Sequence, residues 1–181
     1  MKPTEAELIA LARNGDADAF GRLVEETAGF VRRLTRTILR DPEDADDAAQ
    51  DAFFAAWRAR ERFDPGRPWR PWIAQIALNA ARDLHRRRTV RRTEALPHDL
   101  PGTGGGPAAA AEAAWLREQL LRALAALPER QRLAVVLFDA EGFSHAEVGA
   151  ILGVPEGTAR SDVFHARRRL RAALGEGGDG G

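Results

Sequence analysis

Apolar residues recur along this chain at intervals of three and four, and no segment alternates with the period of two that a strand exposing one face would need. The pattern predicts an all-α protein. Ile9, Leu11 and Ala12 mark a short first helix that ends near Asn14-Gly15, where glycine suits a left-handed cap. Asp16 or Asp18 then caps a long second helix whose apolar face runs Phe20, Leu23, Val24, Val31, Leu34 and Ile38. Asp41-Pro42-Glu43-Asp44 restarts the chain, because Asp caps, Pro fits the first helical position and acids favour the positive end of the helix dipole. The third helix, predicted to reach about Arg62, carries Ala45, Ala49, Ala52, Phe53, Ala56 and Trp57 on its core face. The Pro and Gly of Phe63–Pro68 require a loop. A fourth helix places Trp72, Ile73, Ile76, Ala77, Ala80 and Leu84 on one stripe and leads into Arg86-Arg87-Arg88.

The pattern lapses between about Thr89 and Ala111, where three consecutive glycines and PHDLPGTGGGPAAAA offer no apolar face. The expected organisation is therefore two small helical domains, 1–95 and 112–175, joined by a flexible linker at 96–111 and followed by a disordered tail at 176–181. In the second domain Leu116, Leu120, Leu124 and Leu127 predict one helix, and Leu133, Val136 and Leu137 a second that ends at Gly142. A short helix then starts at Ser144 and holds Val148, Ile151 and Leu152. Gly153 turns the chain into a last helix, from about Thr158 to Leu174. The segment 144–174 is thus a helix-turn-helix, with Val148, Ile151, Leu152 and Val163 packing its two helices together.

Composition removes several classes of function. The 181 residues include no cysteine, so there is no disulfide framework, thiolate metal site or cysteine nucleophile. The four histidines are scattered, and none has a second ligand one turn away; no metal and no cofactor are expected. No apolar run approaches the ~18 residues of a membrane span, and MKPTEAEL is unlike a secretory leader, so a soluble, cytoplasmic protein without membrane insertion is expected. No set of nucleophile, base and oxyanion donors can be assembled, which argues against an enzyme.

The net charge is zero but unevenly spread: residues 1–64 hold 10 basic and 14 acidic side chains, residues 65–95 hold 8 basic and 2 acidic. Every basic residue except Lys2 is arginine, whose planar fork suits phosphate and guanine, although a GC-rich coding sequence would favour the same residue. Three candidate surfaces follow. On the last helix Arg160, Ser161, Phe164, His165 and Arg168 face outward as DNA readers, with Thr158 capping the helix and directing its amides at a phosphate; an ordinary helical hairpin with a basic end is the plainer reading. Around the loop, Phe63, Trp69 and Trp72 lie near Arg67, Arg70, Arg82 and Arg86–Arg88, a combination that can stack unpaired bases and hold their phosphates; the plainer reading makes Trp72 and Phe63 core. On the third helix Asp44, Asp46, Asp47, Gln50 and Asp51 form an acidic surface that repels DNA and suits a protein partner, or simply a solvated helix start.

The segments DDAAQDAFFAAW (46–57), Phe63 and RPWIAQIALNAARD (70–83) resemble the second conserved region of extracytoplasmic-function sigma factors. LPERQR (127–132), EGFS (141–144), Glu147-Val148 and GTARS (157–161) resemble their fourth region, and the match runs in the family's order over nearly the whole chain. The resemblance implies a non-catalytic subunit that binds core RNA polymerase, recognises the minus-ten and minus-thirty-five promoter elements and promotes DNA melting. Asp44, Asp47, Gln50 and Asp51 would meet the clamp helices of the largest polymerase subunit. Phe63, Arg67, Trp69, Arg70, Asn79, Arg82, Arg86 and Arg87 would bind the minus-ten element, partly as a pocket for a flipped base. Thr158, Arg160, Ser161, Phe164, His165 and Arg168 would bind the minus-thirty-five element. The implied partners are the polymerase, including its flap region, promoter DNA and an anti-sigma protein. The sequence departs from the family at Asp162 and His165, where many members carry Arg, and at Ala48-Ala49, where larger apolar residues are common. A stand-alone helix-turn-helix regulator is the alternative, and it would bind a palindromic site without polymerase.

Overall fold

The computed structural model describes residues 3–92 and 108–175 and divides the chain into two units, Met1–Glu94 and Ala95–Gly181. The described residues contain helices and no strand. The first unit holds α1 (Glu5–Arg13), α2 (Ala17–Arg36), α3 (Pro42–Ala59), a 3-10 turn at Arg60–Arg62 and α4 (Trp69–Arg92). The second holds α5 (Ala108–Ala126), α6 (Glu129–Val135), a π-helical turn at Val136–Ala140, α7 (His145–Leu152) and α8 (Glu156–Leu174).

Each start in the first unit has a local cause. Thr4 and Glu7 form a reciprocal capping box on α1, Asp16 rather than Asp18 caps α2 by accepting from the Ala19 amide at 2.9 Å, and Asp41 accepts from the Glu43 amide at 2.8 Å with Pro42 at the first helical position. Gly15 turns the chain between α1 and α2 at φ 94°. The core is built from α2, α3 and α4, with α1 laid against α2. Alanine dominates the seam between α3 and α4: Ala45, Ala48, Ala52 and Ala56 on one side and Ala74, Ala77 and Ala81 on the other have no exposed surface. Short side chains let the two helices approach closely.

The α4 stripe differs from the predicted one by a rotation. Ile73, Ala74, Ala77, Leu78 and Ala81 are buried, whereas Trp72, Ile76, Ala80 and Leu84 are only half-buried. Packing on two sides, against α2 and α3, widens the buried face beyond a single stripe and brings in Ala74, Leu78 and Ala81. On α2 the core also takes Phe30, Thr27 and Thr35. Both threonines are buried because their hydroxyls have partners: Thr27 donates to the Leu23 carbonyl at 2.6 Å, and the Thr35 hydroxyl reaches the Ala45 carbonyl at 2.8 Å, tying α2 to α3. Phe53 and Trp57 on α3 are half-buried.

In the second unit Ala123 and Leu127 join Val135 and Ala166 in the core, with Leu124 and Leu170 partly covered beside them. Leu116 and Leu120, expected on the core face of α5, are instead 55% and 39% exposed, because α8 covers only the later part of α5. That helix also begins inside the expected linker, at Ala108, where a run of alanines gives high helix propensity. The expected linker otherwise falls mostly outside the described residues, as does the tail at 176–181.

After α6 the helix loosens, with the Glu141 amide reaching the Val136 carbonyl five residues back at 3.1 Å. Gly142 then reverses the chain at φ 76°. A second capping box, Ser144 with Glu147, starts α7, and Gly153 ends it in the left-handed region at φ 69°. Gly149, which no local pattern singles out, is the most closely packed of the described glycines: a Cβ there would lie 2.8 Å from the Val154 carbonyl oxygen.

Candidate promoter and polymerase interfaces

On α3, Asp47, Gln50, Asp51 and Phe54 share one outward stripe at intervals of three and four. The acidic positions on this face have different surroundings. Asp44, whose side chain is 13% exposed, is ion-paired with Arg88 of α4, and Asp51 lies 4.0 Å from Arg87. Asp46 is approached by Arg32 and Arg36 of α2, each at 3.8 Å. Asp47 and Gln50 point to solvent. Phe54, 61% exposed, is an apolar ring at the C-terminal end of this polar stripe. Sequence reasoning passed over it, although its place one turn beyond Gln50, off the alanine stripe, is the signal that marks it.

The loop before α4 corrects the expectation that its aromatic rings face DNA. Phe63 and Trp69 are each 3% exposed. Trp69 packs edge-on to Phe20 at 5.9 Å, and its indole N–H donates to the Thr27 hydroxyl at 3.4 Å, so ring and donor are both used inside the fold. Phe63 lies 4.6 Å from Trp72 and 5.9 Å from Trp69, centroid to centroid. These two side chains are core, and neither offers a face to an unpaired base. They anchor the loop instead: Glu5 of α1 accepts from the Trp69 amide at 3.3 Å, and Asp64 accepts from the Gly66 amide at 2.9 Å.

What remains outward around that loop is polar. Arg67 is exposed and lies 3.7 Å from Asp64, Arg70 sits over the Phe30 ring at 4.6 Å, and Asn79 is exposed on α4. Further along α4, Arg82 is half-buried, Arg86 pairs with Asp83, and Arg87 donates to the Asp83 carbonyl at 3.3 Å. Arg86, Arg87 and Arg88 of α4 are therefore steadied by the neighbouring acids Asp83, Asp51 and Asp44.

In the second unit the buried stripe of α8, Ala159, Val163 and Ala166, packs the helix down, and Arg160, Ser161, Phe164, His165 and Arg168 are all exposed on the opposite side. Phe164 is 62% exposed and stands edge-on to His165 at 5.5 Å. Arg160 donates to Glu156 one turn earlier at 2.8 Å. Thr158 corrects a second expectation. It does not cap the helix, because α8 begins at Glu156 behind Pro155, and the Thr158 amide already donates to the Pro155 carbonyl at 3.0 Å.

The expectation for Asp162 also changes. It is 4% exposed and points away from the reading face. Its carboxylate accepts from Arg130 of α6, Nε at 2.6 Å and Nη2 at 3.3 Å. Those hydrogen bonds, and then the charge itself, hold the Arg130 guanidinium pKa above its usual value. Asp162 is thus no substitute for an arginine on the DNA side. Among the described residues no group of acids and histidines is arranged to hold a metal ion, and no helix is long and apolar enough to cross a membrane.

Comparison with known proteins matches this arrangement. The family model described as Sigma-70 region 2 matches residues 23–91, and that described as Sigma-70, region 4 matches residues 117–170. The chain is similar to the RNA polymerase sigma factor CnrH of Cupriavidus metallidurans, 35% identical over 96% of this chain and 97% of the relative. It is also similar to the ECF RNA polymerase sigma factor SigM of Mycobacterium tuberculosis, 38% identical over 95% of this chain and 85% of that one. The solved structure of CnrH in complex with the cytosolic domain of CnrY superposes with a TM-score of 0.71 at 32% identity, covering 96% of this chain and 99% of that chain. With both regions present in order and relatives matched along nearly their full length, the chain belongs to the extracytoplasmic-function group of the sigma-70 family of RNA polymerase sigma factors.

Proposed function

We propose that the first unit (1–95) carries the chain onto core RNA polymerase and opens the minus-ten element, while the second (112–175) reads the minus-thirty-five element. The single observation that carries this reading is the presence of both sigma regions, in order, in one chain whose exposed faces divide into an acidic one and two arginine-bearing ones. Asp47 and Gln50, with Phe54 as an apolar anchor, supply the face for the polymerase clamp helices; Asp44 and Asp51 flank it from their ion pairs with α4. Arg67, Arg70 and Asn79 border the site for a flipped base, on a loop that the buried Phe63 and Trp69 hold in place. Arg82, Arg86 and Arg87 follow the phosphates. Arg160, Ser161, Phe164, His165 and Arg168 enter the upstream major groove, and the second unit also meets the polymerase flap.

Opening DNA in this scheme draws on binding rather than on nucleotide hydrolysis: a base that leaves the stack loses a few kcal/mol, and a fitted pocket offsets it. The chain supplies no chemistry of its own and works beside the polymerase in the cytoplasm. An anti-sigma protein is a further partner, by analogy with CnrH, which is seen bound to the cytosolic domain of CnrY. The family match does not favour a stand-alone regulator. The deciding experiment is a promoter band shift with the full chain, with and without core polymerase. A specific shift that needs the polymerase supports the reading, and equally tight binding by the free chain overturns it.

A further inference from the structure

The recognition helix rests on a smooth base. Its buried stripe is Ala159, Val163 and Ala166, short side chains whose contacts are apolar and non-directional, so they hold α8 down without strongly fixing its rotation. At about 100° per residue, Asp162 lies on one flank of that stripe and Arg167 on the other, between the buried face and the reading face. Each is tied to the segment that precedes the helix-turn-helix, and the two ties have opposite polarity. Asp162 accepts from Arg130 at the start of α6, Nε at 2.6 Å and Nη2 at 3.3 Å. Arg167 donates to Asp139 in the π-helical turn through Nε at 2.9 Å and through Nη2, and its guanidinium also lies 5.2 Å from the centre of the Phe138 ring.

We propose that Asp162 and Arg167 are positioning residues for upstream-element readout, fixing the rotation of α8 through Arg130 and Asp139 so that its reading face meets the groove in one register. The inference rests on the reading of α8 as the minus-thirty-five reader. Two-point hydrogen bonding between a guanidinium and a carboxylate is directional where alanine packing is not. The opposite polarity matters as well: a slip of α8 by one residue would leave the buried Asp162 carboxylate unpaired, which is where charged pairs act most clearly as register devices. Base recognition needs its side chains held to within about 0.5 Å, a tolerance the alanine base alone does not enforce. None of the four residues has to touch DNA to act in this way.

The test uses holoenzyme reconstituted from the full chain and core RNA polymerase, transcribing a barcoded promoter library randomised at both elements. Arg130→Met with Asp162→Leu removes one tie without stranding a charge, and Asp139→Leu with Arg167→Leu removes the other. Either pair of changes is expected to reduce discrimination among upstream sequences by about three- to tenfold, the lower part of the span for coupled neighbours, while minus-ten preferences stay at the wild-type level. The reversed pair, Arg130→Asp with Asp162→Arg, is expected to recover most of that discrimination. Should the reversed pair fail to fold, Asp162→Asn, which keeps the acceptor oxygen and the shape, is expected to fall between wild type and the apolar pair. Undiminished discrimination in both apolar pairs would overturn the proposal. So would equal loss in the apolar and reversed Arg130/Asp162 pairs when both melt near the wild type, since the side chains would then be contacting DNA themselves; if Asp162→Asn stands in, its matching the apolar pair counts the same way. A wild-type chain that shows minus-ten preference but no upstream preference overturns the reader assignment first, a result separable from failure of the positioning step.

Discussion

Arg88 of α4 closes on the carboxylate of Asp44 of α3, an ion pair in which the acid is 13% exposed and the guanidinium 52%. The pair divides the acidic face of α3 into positions that hold the fold and positions that are available to a partner. Asp44→Ala strands a cation that can still reach water, so its expected effect is a loss of stability of about 1 kcal/mol, seen as a lower Tm. Asp47→Arg with Gln50→Ala is expected to leave the Tm within the scatter of surface substitutions while weakening the affinity for core polymerase. A titration with labelled polymerase that finds core affinity unchanged removes the clamp assignment.

Phe54 offers a sharper version of the same question. An aromatic ring 61% exposed on a helix stripe lies largely outside the core, so Phe54→Ala should lower the Tm little. If the ring is the anchor of the docked face, its loss should weaken core binding by about 2 kcal/mol, a level typical of interface hot spots. Binding that is insensitive to Phe54 but sensitive to Asp47 would make the interface purely electrostatic and strongly salt-dependent.

Asn79 stands exposed beside the loop that Phe63 and Trp69 anchor. Its substitution by Ala should spare both stability and upstream recognition yet slow promoter opening. A double-mutant cycle against the flipped base is expected to give a coupling of about 1 kcal/mol or more. Strictly additive losses would place base recognition elsewhere on α4.

Gly149 and Gly153 are expected to be intolerant for different reasons. Gly149→Ala pushes a methyl to 2.8 Å from the Val154 carbonyl oxygen, an overpacking that costs about 1–3 kcal/mol. Gly153→Ala meets open space but must adopt φ 69°, at about 1 kcal/mol. Thermal unfolding of the two variants should rank them in that order.

The Glu7 carboxylate is held below the ordinary glutamate range, first by its hydrogen bond from the Thr4 amide and then by that from the Thr4 hydroxyl. A lowered pKa gives stability that is complete above the unfolded value of about 4.3 and is lost as the pH falls through the folded value. The protection of the Thr4 amide, measured against the intrinsic exchange rate at each pH, is therefore expected to fall on acidification below about pH 4, and Glu7→Gln should flatten that dependence. A wild-type profile with no acid limb in this turn counts against the capping box.

Helix order, the helix-turn-helix and every cap but that of α8 were legible in the chain because each has a local cause, such as Asp41-Pro42, Ser144, or Gly153. The outward face of α8 was legible too, since an apolar Val163 among polar and charged neighbours marks which side of the helix is inward. Facts that depend on a neighbour were not. Nothing near Trp69 in sequence announces that Thr27 will receive its N–H, and so a buried tryptophan next to arginines looked like a base-stacking surface. Asp162 looked like a change on the DNA side because its partner Arg130 lies 32 residues away. Leu116 and Leu120 have the spacing of core residues, yet nothing in that spacing limits how far α8 reaches along α5.

The alanine seam between α3 and α4 has a thermodynamic meaning beyond close approach. An alanine side chain has no rotamers to lose, so ordering this interface sacrifices backbone freedom but almost no side-chain entropy. Each alanine also buries little apolar area, and the hydrophobic gain per residue is correspondingly small. Vulnerability in this seam therefore runs in one direction. Truncation can remove at most a methyl, whereas any added methylene at Ala45, Ala52, Ala77 or Ala81 enters a site with no exposed surface to expand into, so within this seam the damaging substitutions are enlargements.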